Sequence, residues 1–349
     1  MRKTLQEFDS TENPEGINGP SRELPPWLAP ILARILGGRR TLSHALLLAG
    51  PAGIGKGALA MRLANALLCE APTPAGDACG RCPACGWFAQ GNHPDFRRLS
   101  PGGDDEESRE KASLEIKIGQ VRGLADFLAV GGHRGGRKVV VVDPAEALNV
   151  PAANALLKTL EEPSGQTLFL LVSGRPDALP ATIRSRCVAV PVALPSAADA
   201  GAWLAGQTGA SPDEVAAWLA AAGGAPLRAA ALAEPSQAAA YRLMLKTVLQ
   251  IPDNSSIQAA EALAALPARA WLPLLQAWVT DLGRVAAGSV PQRFPDQHER
   301  LRHLARSTAL PKVVQFADWL LRQAAAVDHP LNPRLFCEDT LIRYRALFV

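Results

Sequence analysis

Three groups of residues in this 349-residue chain have types and spacings that can do chemistry. The first is the run Gly50-Pro51-Ala52-Gly53-Ile54-Gly55-Lys56-Gly57. Glycines at these intervals let backbone N–H groups turn inward around phosphate oxygens, and Lys56 adds a point charge. A helix starting there would add its positive N-terminal end. The position after the lysine asks for Ser or Thr, whose hydroxyl ligates Mg²⁺, but it holds Gly57. The loop can hold phosphate while lacking one part of a hydrolytic apparatus. It can therefore bind nucleotide, bind and hydrolyse it, or merely keep the fold of such a site.

The second group is Cys69-x9-Cys79-x2-Cys82-x2-Cys85. Four thiolates on a short insert suit a closed tetrahedral Zn²⁺ site, and a site filled by cysteines is structural. Structural zinc contributes roughly 10–16 kcal/mol of apparent binding energy in small peptides, enough to order an insert without a core. An Fe–S cluster or a redox pair uses similar spacings, but nothing nearby suggests electron transfer, so zinc is the expectation. His93 reads as a local structural residue rather than a further ligand. Cys187 and Cys337 have no partners at ligand spacing and read as buried thiols.

The third group lies at strand ends. Val139 to Val142 leads to Asp143, where a phosphate-loop ATPase presents its Mg²⁺-binding acid. The water-polarising glutamate that usually follows is replaced by Pro144, and the nearest acid, Glu146, is expected to point in another direction. With Gly57, that makes two defects in one mechanism, and such chemistry is mostly positioning and charge stabilisation. Autonomous ATP hydrolysis is not expected. Arg184-Ser185-Arg186-Cys187 lies between a loop and a strand. Its arginines can be surface charges, salt-bridge partners, or a finger given in trans to a neighbour's γ-phosphate, where such residues are worth about 10³–10⁵ in rate.

The elements that must position these groups are legible in the hydrophobic pattern. Ala45 to Ala49 reads as a buried strand before the loop, and 57–68 as a helix with Leu59, Leu63, Ala66 and Leu67 on one face. A helix opens at Pro25-Pro26-Trp27 and ends at Gly37-Gly38. From 69 to 103 the periodicity lapses. Asp104-Asp105-Glu106-Glu107 reads as a solvated loop, 118–128 as a helix, and Gly131 through Lys138 as a flexible basic turn. Strands follow at 139–142, 167–173 and 187–192, with a helix at 152–161 stopped by Pro163. Strands alternating with helices imply a parallel sheet covered on both faces. After Leu194-Pro195 the chain turns to alanine-rich helices. Ser211-Pro212-Asp213-Glu214 is a helix start, Gly223-Gly224 a break, and Glu234-Pro235-Ser236 a further boundary. Helical patterns at 241–251, 271–285 and 313–326 follow.

The division expected is a disordered leader at 1–21, an α/β phosphate-loop domain at 22–194 with its cysteine insert at 69–85, a small helical domain at 195–235 and an all-helical domain at 236–349. Composition sets limits on the whole. Lys plus Arg (36) against Asp plus Glu (33) leaves +3, so bulk charge does not argue for nucleic acid. No run reaches the length of a membrane span, no secretory signal is evident, and the cytoplasm is the expected compartment.

Several stretches together resemble one known family. They are Ser43-His44-Ala45-Leu46-Leu47-Leu48, the four-cysteine insert, Gly91-Asn92-His93-Pro94-Asp95-Phe96, Gln120-Val121-Arg122, the run from Asn154 to Pro163, and Ile183-Arg184-Ser185-Arg186-Cys187. This combination resembles the delta-prime subunits of bacterial DNA polymerase III clamp loaders. Residues 43–190 carry the match closely, and beyond 195 it is architectural. The resemblance implies an AAA+ domain, a lid and a collar. It also implies a hetero-pentameric ring with gamma/tau motor and delta subunits, which loads the sliding clamp on primer-template DNA. Delta-prime subunits carry degenerate ATPase motifs and donate a Ser-Arg-Cys arginine to the adjacent motor, which falls on Arg186. Ser173 falls at the first sensor position and Arg228 near the second. Gly50, Gly53, Gly55 and Lys56 are better kept than a wholly abandoned site requires, so ATP or ADP binding stays open. The helix at 154–162 is expected to be a packing surface with Glu161 and Glu162 solvated, and no independent catalytic activity is expected. The rivals are an active gamma/tau-like motor ATPase and a zinc-dependent DNA-binding module.

Overall fold

The computed structural model describes residues 24–102, 114–133, 136–163, 165–250, 261–326 and 332–348. The expected leader at 1–21 and the acidic run at 104–107 lie outside the described residues. By its internal contacts the chain divides into two compact units, one ending at Asp199 and the other spanning Ala200–Val349.

In the first unit, a 3-10 turn (Pro26–Leu28) enters α1 (Ala29–Gly37), followed by β1 (Ala45–Ala49) and α2 (Lys56–Leu68). The cysteine segment carries α3 (Pro83–Ala89) and leads to β2 (Phe96–Leu99). Then come α4 (Ile118–Ala129), β3 (Lys138–Val142), α5 (Val150–Glu161) and β4 (Thr167–Ser173). A short α6 (Ala181–Arg184) and β5 (Val188–Pro191) complete the unit. The five strands form one parallel sheet in the order β2-β3-β4-β1-β5.

Alternation along the strands assigns the two faces. Leu47, Val140, Val142, Phe169 and Leu171 cluster with Val121, Leu124 and Phe127 of α4 and with Leu156 and Leu160 of α5. The intervening Leu46, Leu48, Val141, Leu170 and Val172 are equally buried, on the face that α2 covers with Leu59 and Leu63. Covered on both sides, the central strands read as continuous apolar runs, which is why they were legible. The edge strand β2 was not expected: its Phe-Arg-Arg-Leu gives no apolar run. Nor was α3, a seven-residue helix within the aperiodic stretch. Lys138, expected in the basic turn, is instead the buried first residue of β3, and its ammonium group bonds the Phe127 and Val130 carbonyls. Before it, the His133 N–H donates to Asp95 Oδ1 at 2.9 Å.

The second unit is helical in its described residues. It contains α7 (Ala197–Thr208, which starts just before the division), α8 (Pro212–Ala221), α9 (Pro226–Ala233) and α10 (Pro235–Gln250). After these come α11 (Ala268–Ala286), α12 (His298–Arg306), α13 (Leu310–Ala326) and α14 (Pro333–Arg345). Ser211 and Glu214 form the reciprocal cap that the sequence announces at α8. One hydrophobic core joins Leu204, Val215 and Leu232 to Trp278, Phe294 and Tyr344. At its centre the Trp278 indole N–H donates to the Tyr344 hydroxyl at 2.8 Å, so neither buried polar atom is left unpaired. No single helix among the described residues is long and apolar enough to cross a membrane.

Candidate functional site

The loop between β1 and α2 is built by its glycines. Gly53 and Gly55 have φ of 79° and 94°, left-handed values that residues with a Cβ rarely adopt. Gly50 has a different reason: a Cβ there would lie 1.9 Å from the Val192 carbonyl oxygen. The loop is fastened on both sides, by Gly50 N–H to Ser173 O (3.2 Å) and by the Trp27 indole N–H to Ile54 O (2.8 Å). Lys56 opens α2, is fully buried, and its Nζ donates to Pro51 O at 2.8 Å. Lysine, glycines and helix N-terminus are thus brought together in an arrangement that can hold an anion. Gly57, buried beside the lysine, supplies no hydroxyl.

Asp143 ends up at the tip of β3, 3% exposed, but is engaged: its Oδ2 accepts from Arg98 Nη2 of the neighbouring strand at 2.8 Å. Glu146 does point elsewhere, and its direction is informative. Its Oε1 accepts from the N–H groups of Gly174 (2.8 Å) and Arg175 (3.2 Å), just past β4. A Cβ on Gly174 would lie 3.2 Å from that oxygen and 3.4 Å from Cβ of the loop residue Ala52, so the carboxylate sits next to the loop. Ser173 is fully buried opposite Ala49 in the sheet register, with its Oγ accepting from Arg175 N–H.

The two arginines of the Arg-Ser-Arg-Cys stretch have separate partners. Arg184, the last residue of α6, pairs at 2.8 Å with Asp177 of the 3-10 turn (Pro176–Ala178) just before it. Arg186 sends Nη1 to the Thr182 carbonyl (2.8 Å) and, more weakly, to Ser185 Oγ (3.4 Å), while Nη2 bonds Glu161 at the end of α5. Glu161 is therefore not simply a solvated helix residue. Arg228 belongs to the helical unit. There it lines a cavity of about 230 Å³ with Arg293, Gln276 and Thr280.

The four cysteines converge. Their sulfurs all lie within 4.8 Å of one another, with Cys69 and Cys82 at 3.8 Å. Sulfurs bound about 2.3 Å from a tetrahedral ion stand roughly 3.8 Å apart, so donor set and spacing fit a metal. Backbone N–H groups of Cys79 and Cys85 point at the sulfurs of Cys69 (3.3 Å) and Cys82 (3.5 Å). The Arg81 backbone N–H pulls the Cys79 thiol down to about 6, whereas burial pushes Cys85 up to about 12. His93 stands outside this set: its Nδ1 accepts from Asp95 N–H at 3.1 Å, and burial lowers its pKa. Cys187 is half-buried with its thiol raised to about 11 by burial, and Cys337 is fully buried.

Sequence reasoning missed Arg98, Trp27 and the role of Glu161. All three depend on contacts made only in three dimensions.

A family model described as DNA polymerase III, delta subunit, matches residues 31–195. A Pseudomonas aeruginosa protein named DNA polymerase III subunit delta' is 40% identical over 339 residues, covering 92% of this chain and 97% of that protein. The Yersinia pestis protein of the same name is 34% identical over 315 residues, covering 84% and 87%. Among solved structures, a DNA polymerase III gamma subunit-related protein from Thermotoga maritima aligns with a TM-score of 0.46 and 21% identity, over 92% of this chain and 99% of that one.

Proposed function

The chain belongs to the family of DNA polymerase III delta-prime subunits, and from that premise we propose that it is the non-hydrolysing, ring-organising member of a clamp loader. In this reading the first unit is an AAA+ domain, and the helical unit supplies a lid and a collar that packs against other subunits. The partners are gamma/tau motor and delta subunits in a hetero-pentamer, acting on the sliding clamp and primer-template DNA in the cytoplasm.

The observation that carries the proposal is the contrast between the chain's own pocket and its outward arginine. A nucleotide in the Gly50–Gly57 loop would meet N–H groups and Lys56 but no magnesium hydroxyl at Gly57. The acid meant for the metal, Asp143, already faces a guanidinium. Such a pocket supports ATP or ADP binding without turnover. Arg186, one-third exposed, is free to meet a phosphate outside its own subunit and acts as the finger of the adjacent motor. Ser173 sits where a sensor would monitor the loop; Arg228 has the weaker support of its position in the chain. Cys69, Cys79, Cys82 and Cys85 hold structural zinc, which leaves no open coordination position for chemistry.

ATP turnover by the reconstituted complex tests this. Arg186→Ala is expected to cut DNA-stimulated turnover by about 10³-fold or more at the one site it completes. Lys56→Ala is expected to leave turnover within about twofold. The opposite pattern, with Lys56 essential and Arg186 dispensable, would establish the motor reading instead.

A further inference from the structure

We infer that Glu161 is the positioning residue for Arg186, holding its guanidinium at the subunit edge in the orientation that a neighbour's phosphate meets. This deepens, and rests on, the finger reading of Arg186.

Glu161 is the last residue of α5, and Arg186 follows the short α6, 25 residues later. The two terminal nitrogens of the guanidinium are tied to different elements: Nη1 to the Thr182 carbonyl of α6, and Nη2 to the Glu161 carboxylate of α5. A planar group held at both tips of its fork cannot turn about its last side-chain bond. The grip is incomplete in a useful way. Glu161 engages through one oxygen, and among the described residues Nε makes no hydrogen bond. N–H donors therefore remain for a further acceptor.

Three features argue against an incidental surface pair. Arg184, of the same chemistry two residues earlier, pairs locally with Asp177 only seven residues away, whereas Arg186 reaches across to α5. Of two adjacent glutamates, the one on the helix proper takes the arginine, while Glu162 is the exposed cap. The pair also keeps water access, with the side chains 33% and 49% exposed, so it is too weak to hold the guanidinium against a triphosphate. What it removes is the rotamer freedom that an unrestrained arginine would lose on engaging its target.

The test is a double-mutant cycle on ATP turnover by the complex reconstituted with motor subunits, clamp and primed DNA. At the one site Arg186 completes, Glu161→Ala should lower kcat on the order of tenfold, as expected for a misplaced catalytic group, with KM for ATP unchanged. Glu161→Gln keeps an oxygen acceptor at the same reach and should restore most of the loss. In an Arg186→Ala background, Glu161→Ala should cost nothing further, a non-additivity that a merely structural role does not produce. Wild-type turnover in Glu161→Ala, or a loss that persists undiminished in the Arg186→Ala background, would overturn the inference while leaving the finger reading intact. An Arg186→Ala complex with unchanged turnover would remove the finger reading itself, and this inference with it.

Discussion

Two arginine–carboxylate pairs in the first unit use the same chemistry to opposite ends. Arg98–Asp143 joins neighbouring strands, with the carboxylate 3% exposed, at the tip of the sheet beside the phosphate loop. Arg186–Glu161 joins two helix ends at the surface. Removing one member of a buried pair is costly because the remaining charge stays out of water, so the first pair is locked. An exposed pair exchanges its partner for water or for another anion at little cost. Burial therefore separates a charge held inside the fold from one that keeps contact with water. In the proposed reading the first is Asp143, paired with Arg98, and the second is Arg186.

The comparison can be sharpened first at a place where neither burial nor a lone ion pair suffices. Within residues 69–85 only Cys69, Ala84 and Cys85 are buried, so the segment has little apolar core of its own and a bound zinc is expected to supply its order. Chelation, or Cys82→Ser, should release about one zinc per chain and unfold this segment selectively, a loss set against roughly 10–16 kcal/mol of binding in small zinc peptides. Metal analysis and limited proteolysis across residues 69–85 would register it, and native protein free of zinc would end the claim.

The two pairs themselves predict unequal costs in the same denaturation experiment. Arg98→Ala should destabilise the first unit by about 3–5 kcal/mol, because Asp143 remains buried. Glu161→Ala should cost no more than about 1 kcal/mol. Equal losses would erase the distinction drawn here.

A pH-dependent effect follows burial into the helical unit. Cys337 has its thiol pushed up to about 12 by burial. Above the ordinary thiol value near 9, the unfolded chain releases this proton while the folded chain keeps it. The unfolded state then binds fewer protons, so stability falls as pH rises from 9 toward 12, by at most about 1.4 kcal/mol per pH unit. Cys337→Ala should flatten that slope in alkaline unfolding curves, and an unchanged slope would refute the assignment.

Much of the fold was legible because its signals are local. The apolar runs at 45–49, 139–142 and 167–173 became the buried strands, and the Ser211 cap and the Gly223-Gly224 break bounded α8 as expected. The four-cysteine spacing announced a cluster that the fold does assemble. β2 was missed because an edge strand has one exposed side and need not be apolar. Lys138 was misplaced because a lysine at the head of a valine run looks like the end of a basic turn. Nothing local shows that α4 and its C-cap Val130 offer two carbonyls to bury it.

By itself, then, the sequence determined the inventory: a phosphate loop without its hydroxyl, an acid followed by proline, four thiols at metal spacing, and an arginine before a strand. Each follows from residue identity and short spacing, which a chain carries before it folds. Only the tertiary structure decided the partners. Asp143 meets Arg98 across 45 residues and Arg186 meets Glu161 across 25, because parallel strands and packed helices bring distant segments together. Water exposure at each meeting point then separates a locked charge from an available one, and exposure is a property of the packed surface that no local pattern encodes.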